Sequence, residues 1–206
     1  MIVALDPANP AHRRAAASLH NALLPESPIA KLGRLFMEGF YYNHLVREGL
    51  IACDLYSHDG RFVGFAAYTK EPYTFMERGK KAHFFYLSAI LAACLAVRPS
   101  RIKIILEALK TLSRRVQNQG KGVGELLSFG VEPAFSSHRD AASGKKVPHL
   151  MFGRVMAVFR REGFSKIQFI IRKDNQASLL FFNSYGAVIR EADYTGPGFF
   201  LLDVSL

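Results

Sequence analysis

Cysteine is scarce in this chain: two residues, Cys53 and Cys94, among 206. Both stand in apolar surroundings without a ligand-like spacing, which excludes a disulfide framework and leaves reduced core thiols as the expectation. A membrane-length apolar run is also missing. The stretch from Phe84 to Val97 covers about 14 residues, short of the roughly 20 that a spanning helix needs, so a buried or interfacial helix is expected. No Pro/Gly/Ser-rich linker interrupts residues 1–206, and one domain of that length can bury a sizeable core. The start, MIVALDPANP, has neither the basic flank nor the apolar run of a secretory signal, so a cytoplasmic location is expected. His44, His83 and His149 are scattered without metal-ligand spacing, and no metal is expected. Helix-turn-helix, zinc-finger and RNA-binding aromatic patterns are absent, so nucleic acid is not an expected partner.

Acidic residues are in deficit. Lys and Arg number 27 against 17 Asp and Glu, a net charge of +10. Such a surface attracts anions in general, from nucleotide phosphates to acidic carrier proteins and anionic lipid. A plainly solvated basic surface fits equally well. With 50% hydrophobic and 12% aromatic residues, the chain is globular rather than disordered.

Pattern and punctuation suggest an order of elements. A short strand at Ile2–Leu5 precedes a helix over 11–24 that Pro25 closes. Ser27 then caps a second helix with Pro28 in its first turn and Leu32, Leu35, Phe36, Phe40 and Leu45 along its stripe, ended by Gly49. Asp59-Gly60 between two strand-like runs marks a hairpin. After Phe84–Val97, a basic amphipathic helix is expected from Arg101 to Val116. A strand opens at Glu125 and runs to Glu132. A mixed polar loop leads to a helix from Pro148 to Gly163, with Leu150, Met151, Val155, Val158 and Phe159 inward. Two closing strands, 187–193 and 199–204, flank the TGPG turn.

The segment from Lys166 to Val188 carries the most specific pattern. Ile167, Phe169 and Ile171 alternate with Gln168, Ile170 and Arg172, which reads as a strand. Asp174 or Asn175 can cap the helix that follows, where Leu179, Phe182 and Tyr185 fall at helical spacing before Gly186. This block resembles the N-x-x-A-x-x-(L/F)-Y-x-x-x-G-F signature of the GNAT superfamily of acyl-CoA-dependent N-acyltransferases. Asn175, Phe181 and Gly186 match it; Ser178 stands for the Ala, Phe182 for the Tyr and Ala187 for the final Phe. The order of elements also resembles that family's. The resemblance implies an α/β GNAT acyl-CoA N-acyltransferase fold: a mixed, mostly antiparallel central sheet flanked by helices, here with a helical insertion at about 77–120 between the third and fourth strands.

It further implies acetyl-CoA, or another acyl-CoA, as cofactor and a primary amine of a small-molecule acceptor. The family's fourth strand offers its edge to the pantetheine arm; Phe129, Gly130 and Val131 before Pro133 fit that role, with Gly130 marking a bulge, a close approach of ligand, or an ordinary core strand. The family's phosphate loop falls on Ser143–Pro148, where Gly144, Lys145, Lys146, Val147 and His149 are the candidate contacts. That loop is degenerate, because Lys146 and Pro148 replace glycines and Pro148 has no N–H. Asn175, Ser178 and Phe182 complete the candidate cofactor contacts. Glu125 is the candidate base, against a solvated strand-end carboxylate. Tyr185, one turn beyond Phe182, is the candidate acid, against packing in the core with its hydroxyl at the rim. Two further readings stand beside the enzyme: an impaired acyl-CoA sensor, and a transferase whose donor is an acidic acyl-carrier protein. Peripheral membrane contact through the insertion helices is a third.

Overall fold

The computed structural model describes residues 1–97, 102, 103, 106, 122–190 and 198–206. Most of the expected helix over 101–116 and of the TGPG turn lies outside them, as do residues 191–193 of the expected strand 187–193 and the side chain of Cys94; Cys53 is buried and free.

Among the described residues, seven strands form one sheet: β1 Ile2–Ala4, β2 Ala52–His58, β3 Arg61–Thr69, β4 Val123–Val131, β5 Lys166–Arg172, β6 Val188–Arg190 and β7 Phe199–Ser205. Their spatial order is β1-β2-β3-β4-β5-β7-β6, so the last strand of the chain is inserted beside β5. Every pairing is antiparallel except β4 with β5. Asp59 and Gly60 both take positive φ between β2 and β3, the twist a two-residue hairpin turn requires.

One face of the sheet carries helices α1 (Pro10–Leu23) and α2 (Pro28–Lys31), a π-helix (Phe36–Leu45), α3 (Phe75–Ala82) and α4 (Phe84–Val97). Asn9 and Ser27 cap α1 and α2 through their side-chain oxygens. The long second helix expected from the sequence is not continuous. Gly33 takes φ +93, breaking the chain after α2. The turns that follow are wide, because Phe36, Phe40, Tyr41 and Leu45 are all buried at a spacing of four to five. Leu35, expected on the stripe, is exposed. α3 and α4 lie between β3 and β4, which bears out the helical insertion at that point. Among the described residues no helix is long and apolar enough to cross a membrane. α4 seats Leu87 in the core while Phe85 is 87% exposed.

The opposite face carries α5 (Val147–Arg161) and α6 (Gln176–Asn183). α5 buries Met151, Phe152, Val155 and Phe159 over β3 and β4. Asn175, rather than Asp174, caps α6 by accepting from the Ser178 N–H at 3.1 Å. Gly186 takes positive φ just past its end.

Candidate active site

β4 begins two residues earlier than the sequence suggested. Val123, Gly124 and Glu125 pair with Lys166, Ile167 and Gln168 of β5, and the pairing stops there. Beyond Glu125 and Gln168 the two parallel strands diverge, leaving the β5 side of residues 126–131 without ladder partners. Gly124 is what lets β4 start early: a Cβ there would lie 2.2 Å from the buried Phe159 ring, so only glycine lets α5 settle on this strand.

Glu125 is therefore not a solvated strand end. It is 4% exposed, on the last paired residue before the divergence. Gln168 Nε2 donates to its Oε2 at 3.3 Å, and the Tyr73 hydroxyl donates to Gln168 Oε1 at 3.0 Å. A buried carboxylate thus sits at the apex of the split, held by an amide that a tyrosine orients. Nothing in the spacing of Tyr73 and Gln168 announces this link, because they lie 95 residues apart.

β4 carries its bulge at Leu127, where the register against β3 slips between Ala67 and Tyr68. The bulge does not lie at Gly130, which pairs regularly with Phe65. A Cβ on Gly130 would come within 2.9 Å of Leu23, so this glycine accommodates α1 packing against the sheet.

A cavity of about 520 Å³ fills the divergence. β4 contributes Leu126–Phe129, β5 contributes Phe169–Arg172, and Asn175, Ser178 and Phe182 close it on the α6 side. The rest of the wall comes from Leu23–Ile29, which run from the end of α1 into α2, from Tyr41 of the π-helix, from Phe75 of α3, and from Asp174 and Phe199. Sequence reasoning missed this second half. Its only local signal was the proline-bounded LPESP run, which carries no chemistry of its own.

The expected phosphate loop is closed upon itself. The N–H groups of Gly144 and Val147 donate to Asp140 and His138 carbonyls, and that of Ser143 to the Asp140 carboxylate. Asp140 also accepts from the hydroxyls of Tyr56 and Ser143, and these hydrogen bonds hold its carboxyl below the usual range. Gly144 takes φ +66 at this turn, and Lys145 and Lys146 are exposed beside it. Their ammonium groups are what the loop presents outward.

His149 Nδ1 lies 2.8 Å from the Tyr185 hydroxyl, tying the first turn of α5 to the end of α6; burial raises the Tyr185 pKa. Phe181 stacks on Phe129 at 5.7 Å between them. Tyr185 does not line the cavity, whereas Phe182 does. The structure thus gathers Phe129, Asn175, Ser178 and Phe182 around the cavity, while Glu125 stands outside its wall, one residue before the lining residue Leu126. It places Gly144, Lys145, Lys146, Val147, His149 and Tyr185 outside its wall, and Gly130 and Val131 further along β4. His44 and His83 are not scattered: their rings meet at 4.1 Å beneath α4. No group of three potential metal ligands occurs among the described residues.

No protein-family model and no curated protein sequence matches this chain. Solved structures do. The PaiA N-acetyltransferase of Thermoplasma acidophilum, in complex with coenzyme A, is 12% identical with a TM-score of 0.54, over 100% of this chain and 99% of that one. The ribosomal-protein-alanine N-acetyltransferase of Brucella melitensis is 14% identical with a TM-score of 0.57, over 100% and 99%. The GNAT domain of S. lividans PAT is 11% identical with a TM-score of 0.58, over 100% and 89%. At such identities the likeness speaks for architecture. The chain has the GNAT acyl-CoA N-acyltransferase fold, with its sheet split between β4 and β5.

Proposed function

We propose that this protein is an N-acyltransferase that moves an acyl group from acyl-CoA to a primary amine of a small-molecule acceptor. The observation that supports it best is the buried Glu125 at the last β4–β5 pair, immediately before the strands part. An extended pantetheine arm can hydrogen-bond to the open β4 edge as an added strand would, bringing its thioester to the cavity. Acetyl-CoA is the simplest donor, and the PaiA structure named above holds coenzyme A. Acceptors differ among proteins of this fold: the NatC complex, 14% identical with a TM-score of 0.54, is bound to a Gag peptide and CoA.

In this reading Glu125 takes a proton from the incoming ammonium, and the neutral nitrogen attacks the thioester carbonyl carbon. The C–N bond forms and the C–S bond breaks; the nitrogen sheds its second proton through solvent, and the coenzyme A thiolate takes up one proton in return. Phe182 stands where the family signature has a hydroxyl, and Tyr185 is engaged with His149, so its contribution as acid is small. General-base catalysis contributes about 10²–10⁴-fold. Glu125→Gln should therefore lower turnover at least 100-fold in an assay of free thiol release with an amine panel, while Tyr185→Phe changes it less than threefold. Turnover unchanged in Glu125→Gln rejects the mechanism.

A second reading, an acyl-CoA sensor or a transferase fed by an acidic carrier protein, draws on the self-bonded loop at 140–147, in which the N–H groups of Asp140, Ser143, Gly144, Lys145 and Val147 are bonded within the segment 138–147. Calorimetric CoA binding without thiol release from any amine favours the sensor. Faster transfer from acyl-carrier protein than from free acyl-CoA favours the carrier.

A further inference from the structure

Beyond the proton transfer assigned to Glu125, and resting on that reading, we propose that Gln168 and Tyr73 are positioning residues that hold its carboxylate in place and ionised. Through Tyr73, the root of the helical insertion becomes part of the site.

Four buried polar side chains stand in one row across the sheet. Thr69 of β3 pairs with Glu125 of β4, Glu125 with Gln168 of β5, and Gln168 with Asp203 of β7. They are 1%, 4%, 4% and 7% exposed. Partners in register share a face, so Gln168 has an acid on either side. Asp203 is committed elsewhere, to Arg190 at 3.0 Å and Lys166 at 3.9 Å. The amide turns to Glu125 instead.

The direction of that hydrogen bond carries the inference. An ionised carboxylate only accepts, so the amide must offer it Nε2 and point Oε1 away. Oε1 then needs a donor, and the Tyr73 hydroxyl supplies it at 3.0 Å. The chain Tyr73–Gln168–Glu125 thus donates in one direction, toward the carboxylate, and matches the ionised form in which a base is competent.

Tyr73 lies between β3 and α3, where the insertion leaves the sheet. The stretch is tied down at both ends. Thr69 Oγ1 donates to the Leu50 carbonyl at 2.7 Å and accepts from the Glu71 N–H at 3.1 Å. The N–H groups of Thr74 and Phe75 donate to the Glu71 carbonyl. Charged side chains on this stretch and on α3 are paired: Lys70 with Glu162, Glu71 with Arg78, and Glu77 with Lys81.

The test follows the Glu125 carboxyl resonance by NMR of the full chain with isotope-labelled glutamate, assigned by its loss in Glu125→Gln. Removing a hydrogen bond to the charged form disfavours that form. Gln168→Met should therefore raise the titration midpoint by about one pH unit, a tenfold change in the ratio of ionised to neutral carboxyl. Tyr73→Phe keeps the ring and should raise it by roughly half a unit. Added to Gln168→Met, it should change nothing further, because Tyr73 acts through the amide. In thiol release from acetyl-CoA with an amine panel, the acid limb of the kcat profile should move with the midpoint, while calorimetric affinity for CoA is unchanged. A merely structural role lowers the thermal melt and moves neither. Tyr73→Phe carries the test alone if Gln168→Met does not fold. Midpoints and limbs that stay put, with Glu125→Gln inactive, overturn this inference and leave Glu125 as the base. Full turnover in Glu125→Gln removes the base, and this inference with it.

Discussion

His20 lies fully buried in α1 with both ring nitrogens engaged, Nδ1 2.8 Å from the Tyr42 hydroxyl and Nε2 2.8 Å from Ser27 Oγ. Ser27 in turn caps α2 and lines the cavity, so this imidazole steadies the loop forming half of the wall. Burial lowers its pKa from 6.5 to about 4. Between those values the unfolded chain binds a proton that the folded chain does not. Stability is therefore full above pH 6.5 and declines as the pH falls toward 4, by about 3 kcal/mol for a shift of this size. Urea midpoints at pH 7.5 and 4.5 should differ much less in His20→Gln than in the wild type, although the variant is weaker at pH 7.5. Equal acid sensitivity in both proteins contradicts this account.

At the scale of elements, the register of β4 places Glu125, the base of the proposed mechanism. Gly124 lets Phe159 of α5 press onto the strand, and that contact holds Glu125 in line with Gln168. Gly124→Ala forces a methyl group into a filled space. Overpacking of this kind costs about 1–3 kcal/mol, and the melting temperature should drop by roughly 2–4 °C per kcal/mol for a chain of this length. Turnover should fall further than stability alone accounts for if Glu125, on the same strand, is the base proposed above. The β5–α6 block was legible because its information is local: alternation in Lys166–Arg172, a capping Asn175 and a terminating Gly186 need no partner to be recognised. The wide turns of Phe36–Leu45 were misread because their period lies close to that of an α-helix, and tertiary burial, not propensity, decides between the two.

For the whole molecule, the split sheet is a slot whose filling should stabilise the fold. A ligand that binds only the native state adds about 2.7 kcal/mol at a hundredfold excess over its Kd. Saturating acyl-CoA should then raise the melting temperature by roughly 5–11 °C. A shift of similar size is expected in Glu125→Gln, since that substitution targets proton transfer more than binding. The absence of any shift in both proteins counts against thioester recognition. The exposed Lys145 and Lys146 beside a closed loop predict that this stabilisation weakens with salt, as screened surface charge does.

The amino-acid order alone determined the hairpin at Asp59-Gly60, the apolar helix from Phe84, a helix from Pro148 to Gly163 (observed as Val147–Arg161) and the strand–cap–helix block, because each is written in neighbours a few residues apart. It also placed Glu125 on the fourth strand. Tertiary structure decided the rest: the insertion of β7 beside β5, the divergence after Glu125, the bulge at Leu127, the pairing of Tyr185 with His149, and the joining of Leu23–Ile29 to the β4 and β5 residues of one cavity, about a hundred residues or more away along the chain. These depend on which surfaces can be buried together without clash or unpaired polar groups, a condition that exists only once the sheet is assembled.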